Sequence, residues 1–135
     1  MGRRIIRTDH AAPPAGAYSQ AIAANGFLFI SGQGPTMPGG KRVSGPFAEQ
    51  AKTTFDNVEA IAAAAGATLT DAVRVGVYLR DMANFDEMNE LYRSRFGSHP
   101  PARTTIQSDL PGFEIEIDAI LLAPDGSSGP ARDGS

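Results

Sequence analysis

The chain is 135 residues long, 41% hydrophobic and 20% charged, with a formal net charge of −3 and no cysteine. That length suffices for one domain with a real core, and the absence of cysteine excludes a disulfide framework, a thiolate zinc site and a cysteine nucleophile. The acidic balance argues against a nucleic-acid partner, which is held by concentrated basic surface.

Arg4-Ile-Ile-Arg7 predicts a short opening strand, and Arg3, Arg4 and Arg7 read as solvated charge around it. No apolar core of signal-peptide length follows them. No run approaches the roughly 20 apolar residues that span a bilayer. The expectation is a soluble, cytoplasmic protein with no membrane partner. Beyond a loop holding Pro13, Pro14 and Gly16 come two apolar runs, Tyr18 to Ala24 and Phe27 to Ser31, separated by Asn25-Gly26. Asn-Gly between apolar runs predicts a hairpin, because a type I′ turn needs positive φ at both central residues. Residues 32 to 45 hold five glycines and two prolines and read as loop.

Pro46 is placed to open a helix. Phe47, Ala51, Phe55, Val58 and Ala62 then recur at helical spacing, with Gly66 ready as the C-terminal cap. Val73, Val75, Val77 and Leu79 alternate with Arg74, Gly76, Tyr78 and Arg80, as in a half-buried strand. Asn84 and Glu87 resemble a capping box before Phe85, Met88, Leu91, Tyr92 and Phe96, a second helical stripe that Gly97 ends. Arg103 to Ser108 and Phe113 to Ala123 are the last two strands, joined through Leu110-Pro111-Gly112. Pro124 to Ser135 is polar, rich in glycine and without an apolar anchor, which predicts a disordered tail.

The order β-β-β-α-β-α-β-β predicts an α+β domain over residues 1–123, with both helices laid on one face of a sheet by right-handed crossovers. Ile120 and Leu122 point away from the face shared by Phe113, Ile115, Ile117 and Leu121. The second sheet face therefore needs a cover, and another copy of the chain is the expected one.

Gly32-Gln-Gly34 superficially matches a dinucleotide fingerprint, but Met37 stands where the third glycine belongs, and Pro35 and Pro38 block the receiving helix. His10 and His99 are far apart and read as exposed loop residues rather than metal ligands. Three polar placements carry chemistry. Arg103 begins a strand after Pro100-Pro101-Ala102, where its planar fork suits a carboxylate. Glu116 shares a face with Glu114 and Asp118 in an apolar strand, which suits a carboxyl of raised pKa that handles protons. Tyr18 opens the hairpin beside Gly16, with its hydroxyl in reach of a cleft. On residue chemistry alone, a structural Arg103–Glu116 ion pair and a core Tyr18 with a satisfied hydroxyl are the favoured readings.

Pro101-Ala-Arg-Thr-Thr-Ile106 followed by Ile115-Glu-Ile-Asp-Ala-Ile120 closely resembles the C-terminal signature of the YjgF/RidA family. Gly16-Ala-Tyr-Ser-Gln-Ala21, Ile30-Ser-Gly-Gln-Gly-Pro35, Phe55-Asp-Asn-Val58 with Ala64-Ala-Gly66, and Asn89-Glu-Leu-Tyr92 match further family motifs in order. The resemblance runs from Arg4 to Ala123. It implies a chorismate-mutase-like fold, a six-stranded mixed sheet backed by two helices, assembled as a homotrimer with a barrel-like core and clefts between subunits. It also implies hydrolysis of 2-aminoacrylate, 2-iminopropanoate and related enamine or imine acids to 2-keto acids and ammonia, with no cofactor and no metal.

By the same resemblance, Arg103 binds the substrate carboxylate, Glu116 activates water and moves protons, and Tyr18 closes the cleft near the reacting nitrogen. Ser31 and Gly32 supply hydroxyl and backbone groups, Thr105 its backbone and hydroxyl, and Asn89 a polar wall. Thr105 stands where many members carry cysteine, and Ala17 where they carry proline. Two alternatives stay open. One is a specialised deaminase of another small substrate, such as aminomuconate or the aminoacrylate of pyrimidine breakdown. The other is a non-catalytic trimer that binds small carboxylates.

Overall fold

The computed structural model describes residues 2–123; the tail expected from Pro124 to Ser135 lies outside the described residues. Strands β1 (Arg4–Ile6), β2 (Ala21–Ala24) and β3 (Phe27–Gln33) precede helix α1 (Phe47–Ala64). Then come β4 (Ala72–Leu79), α2 (Phe85–Phe96), β5 (Ala102–Gln107) and β6 (Ile115–Leu122). The β2–β3 hairpin turns on Asn25 and Gly26 at φ 52° and 82°, the type I′ geometry their sequence calls for. The six strands form one mixed sheet in the order β1-β2-β3-β6-β4-β5, with β4 and β5 parallel and every other pair antiparallel.

Both apolar helix stripes face the same side of this sheet. Ala51, Phe55, Val58 and Ala62 of α1 and Met88, Tyr92 and Phe96 of α2 are buried with Leu28, Ile30, Val75, Val77, Leu79, Ile115, Ile117 and Leu121. At the joint between the helices, Phe55 meets Tyr92 and Phe96 edge-on at 6.3 Å between ring centres, while Tyr92 stacks on Phe96 at 4.3 Å. Phe55→Ala should destabilise the protein by about 3–5 kcal/mol, because a cavity this central cannot collapse. The check is urea unfolding at fixed protein concentration; a loss below ~1 kcal/mol would show that the aromatic joint is dispensable.

Among the described residues no helix lies on the opposite sheet face. Ile5, Ile22, Phe29 and Ile120 lie in successive register across β1, β2, β3 and β6 on that side. Ile5 is 61% exposed, Phe29 44% and Leu122 52%. Among the described residues no helix is long and apolar enough to cross a membrane.

Several local expectations are corrected. The strand expected from Tyr18 begins only at Ala21, and the loop expected from residue 32 begins after Gln33. The last strand starts at Ile115, not Phe113, so Glu114 precedes it and its carboxylate lies 3.6 Å from Arg80. Val73 is 43% exposed because a register shift between Ala72 and Arg74 breaks the alternation there. Asn84 makes no side-chain cap; one turn earlier Asp81 accepts the Ala83 N–H at 2.9 Å and opens a short 3-10 turn that leads into α2.

Candidate active site

Two separate recesses hold the polar residues singled out by the sequence. The first lies where the end of α2 meets the start of β5. Arg103 pairs in register with Val75, whose side chain belongs to the helix-side core, so the guanidinium rises on that face. Its Nη1 donates to Asn89 Oδ1 at 2.8 Å, and its Cζ stands 4.6 Å from the Tyr92 ring centre and 5.6 Å from that of Phe85. These contacts hold the fork with one neutral oxygen and two aromatic faces. Among the described residues no carboxylate pairs with it, so the expected alternative of an Arg103–Glu116 ion pair is excluded within this chain. The groove beside it measures about 530 Å³ and is lined by Asn89, Tyr92, Gly97, Pro101 and Arg103 among others.

Thr105 follows two residues along the same face, opposite Val77. Its hydroxyl is buried with no partner among the described residues, and so is that of Tyr92. Burial pushes the Tyr92 phenol up to about 12, with Arg103 opposing, so it stays neutral at ordinary pH.

The second recess is a cavity of about 170 Å³ that Tyr18, Gly32, Phe113 and Glu116 help to line. Glu116 pairs in register with Tyr78 and faces away from the helices. Burial, and after it the neighbouring charge of Asp118, holds its carboxyl above the usual carboxylate range. Asp118 is itself held in place: Tyr78 Oη donates to its Oδ2 at 2.8 Å and the Gly76 N–H to its Oδ1 at 3.1 Å. The register of β3 shifts between Ile30 and Gln33, across from Asp118, and in this bulge Gly32 lies against the Glu116 carboxylate. A Cβ on Gly32 would overlap Glu116 Oε2 and stand 2.9 Å from its Cδ. Only glycine fits.

Tyr18 is half-exposed rather than core, and its hydroxyl accepts the Ala15 N–H at 3.0 Å. Ser31 takes a different part from the one expected. Its Oγ donates to Ser19 O at 2.6 Å and its N–H to Gln20 O at 3.0 Å, so it ties the Tyr18 segment to β3. Gln20 and Asn57, both buried, were not singled out by sequence reasoning. Asn57 accepts the Ala12 N–H at 3.2 Å and donates to Gly34 O and Thr36 O at 3.1 and 2.7 Å, stapling together the two loops that wall the cavity. Its only signal was an amide beside the apolar stripe of α1. Arg42, which also lines the cavity, carried none.

Tyr18, Gly32 and Glu116 are thus together, backed by Ser31, and Arg103, Asn89 and Thr105 are together. The two groups are not. Arg103 and Glu116 are separated by two strand spacings of ~4.8 Å and three rows of ~3.3 Å, about 14 Å between Cα atoms, and they point to opposite faces of the sheet.

The family model described as Endoribonuclease L-PSP matches residues 8–123. A RutC family protein of Pyrococcus horikoshii is 46% identical over 121 residues, covering 87% of this chain and 96% of its own. The 2-iminobutanoate/2-iminopropanoate deaminase of Homo sapiens is 41% identical over 123 residues, covering 89% and 90%. The crystal structure of E. coli TdcF with bound serine superposes with a TM-score of 0.83 at 30% identity, covering 90% of this chain and 99% of that one.

Proposed function

The chain belongs to the YjgF/RidA family, and from that premise we propose that it hydrolyses small reactive enamine and imine acids to 2-keto acids and ammonia, in a site completed by two copies of the chain. The observation that carries this reading is the state of Arg103, a guanidinium oriented by Asn89 and Tyr92 and left without a carboxylate. Such a fork grips a ligand carboxylate with two parallel hydrogen bonds. The deaminase name of the human relative supports the reaction class, and the serine bound to TdcF supports a ligand of amino-acid size.

The chemistry needs little from the protein. An imine carbon is already electrophilic, so holding it beside water supplies most of the required orientation. Glu116 as carboxylate accepts a proton from the attacking water. With the imine bound in its protonated form, the resulting carboxylic acid returns the proton to the nitrogen of the tetrahedral adduct; ammonia then leaves as the C=O bond forms, and the adduct's hydroxyl proton passes back to the Glu116 carboxylate. The Tyr18 hydroxyl, in the same cavity, hydrogen-bonds near that nitrogen, and Gly32 leaves the carboxylate its room. RNA cleavage, which the family description names, fits less well with a cavity of 170 Å³, the share of about six water molecules.

Since no single chain can present Arg103 and Glu116 to one small molecule, the reading requires assembly. The uncovered apolar face carrying Ile5, Phe29 and Leu122 supports a closed homotrimer with a barrel-like core. Generating 2-iminopropanoate from alanine with an amino-acid oxidase, with semicarbazide as trap, tests the activity directly. The protein should lower semicarbazone yield. Unchanged yield across several imino acids would sink the reading. Gly32→Ala should cost about 10²-fold in kcat/KM with a melting temperature near wild type, since displacing the carboxylate by an ångström is enough. Turnover within about twofold of wild type would remove Glu116 from the chemistry.

A further inference from the structure

Arg42 comes from the glycine-rich connection after β3. The bridge between Thr36 and Arg42, with Met37 N–H on Lys41 O at 2.8 Å and Val43 N–H on Pro35 O at 2.7 Å, folds that connection into a small hairpin. The hairpin sets the guanidinium over the turn that leads into β6. Its Nη1 donates to Pro111 O at 3.1 Å and its Cζ lies 4.5 Å from the ring centre of buried Phe113. There it lines the same cavity as Glu116 and the adjoining recess of about 450 Å³ beside Pro14 and Gly40.

Arg42 and Arg103 are held in the same way. Each has one neutral oxygen, an aromatic face and, among the described residues, no carboxylate; Arg7, Lys52, Arg80, Arg93 and Arg95 have acidic partners, and Arg74, which donates to Thr104 Oγ1, differs in that its contact is with a hydroxyl rather than with an oxygen and a ring together. A guanidinium has five N–H donors, and the contact with Pro111 uses one. Both arginines are therefore oriented and left open to an anion. A surface arginine placed merely for solubility needs neither a carbonyl nor a ring to aim it.

Resting on the reading above, we propose that Arg42 recognises a second carboxylate at the far end of the substrate, so that imino acids with an acidic side chain are the preferred class. The α-carboxylate is taken on the Arg103 side of the completed site. The reacting carbon then lies beside Glu116, and the side chain runs outward past Phe113 to Arg42. A second carboxylate entering a cavity that contains Glu116 meets repulsion. Arg42, lining the same cavity, offsets it. An alanine-type side chain ends before reaching Arg42 and gains nothing from it.

The test has a binding arm and a turnover arm. In calorimetry with the product-like keto acids, 2-oxoglutarate should bind wild type at least about tenfold more tightly than 2-oxobutanoate. Arg42→Gln, which keeps an apolar stem over Phe113, and Arg42→Ala should both erase that ratio. In the semicarbazide assay the kcat/KM ratio of glutamate-derived to alanine-derived imine should fall by the same factor. Equal affinities in wild type, or a variant that weakens both ligands alike, would overturn the proposal, since a merely structural Arg42 moves both together. If the binding preference and its loss appear but no imine is turned over, deamination is wrong and the dicarboxylate subsite stands. If neither keto acid binds, the subsite falls.

Discussion

Arg103→Ala should lower kcat/KM for any imino-acid substrate by roughly 10²- to 10³-fold, the usual effect of deleting one partner of a desolvated, hydrogen-bonded charge pair. Most of the loss should appear as raised KM. Asn89 and Tyr92 orient the guanidinium before substrate arrives, so the carboxylate meets a fork whose orientation costs no further entropy. Arg103→Lys keeps the charge and loses the planar pair of donors, so it should fall between alanine and wild type rather than near wild type. Equal activity of the lysine variant would mean that Arg103 acts only as a long-range charge. Because Arg103 stands on one face of the sheet and Glu116 on the other, the same variant also tests assembly. Mixing denatured Arg103→Ala with denatured Glu116→Gln and refolding them together should restore activity at roughly a quarter of the sites, since a cyclic array then contains interfaces with both residues intact. A site confined to one chain would recover nothing.

Glu116→Gln should reduce kcat by about 10²- to 10⁴-fold with little change in KM, because the amide keeps the shape of the side chain and cannot exchange a proton. The pH profile separates this from misfolding. Burial, then Asp118, raises the Glu116 pKa, so wild-type activity should show an ionisation above the ordinary glutamate value of about 4.3, and the variant should lack it. The stability consequence runs the same way. A carboxyl whose folded pKa is raised favours the folded state fully below its unfolded value, and that contribution is lost as pH rises through the folded value. Glu116→Gln should therefore melt at or above wild type at neutral pH, with the difference shrinking towards pH 4. A variant less stable than wild type at pH 7 would mean that the charged carboxylate is favoured by an unrecognised partner.

Much of this architecture was readable before any coordinates, because the signals are local. Asn25-Gly26 allows one turn geometry, and the stripes from Phe47 to Ala62 and from Phe85 to Phe96 have the period of one helix face. The alternation from Ile115 to Leu122 likewise defines which side of β6 is core. The residues that the motifs single out lie close to the two recesses: Arg103, Glu116, Tyr18, Gly32, Asn89 and Thr105 all line or adjoin them. Ser31 lies in the neighbouring strand, with its hydroxyl donating to Ser19 O.

What only the tertiary structure decided is everything that depends on which distant segments become neighbours. That β6 inserts between β3 and β4, and thereby sets Glu116 against Gly32, is a choice among strand pairings to which local propensity is indifferent. The division of the site follows from register: Arg103 shares a row with Val75 and Glu116 with Tyr78, and alternate rows point to opposite faces. Asn57 and Arg42 look ordinary in their own segments; their partners, Ala12, Gly34, Pro111 and Phe113, arrive from other parts of the chain. The sequence by itself determined the elements and pointed to most residues of the candidate site, since period, turn chemistry and motif act over a few neighbours. The fold decided which of those residues face one another, because long-range pairing is settled by the burial of whole faces rather than by any local stretch.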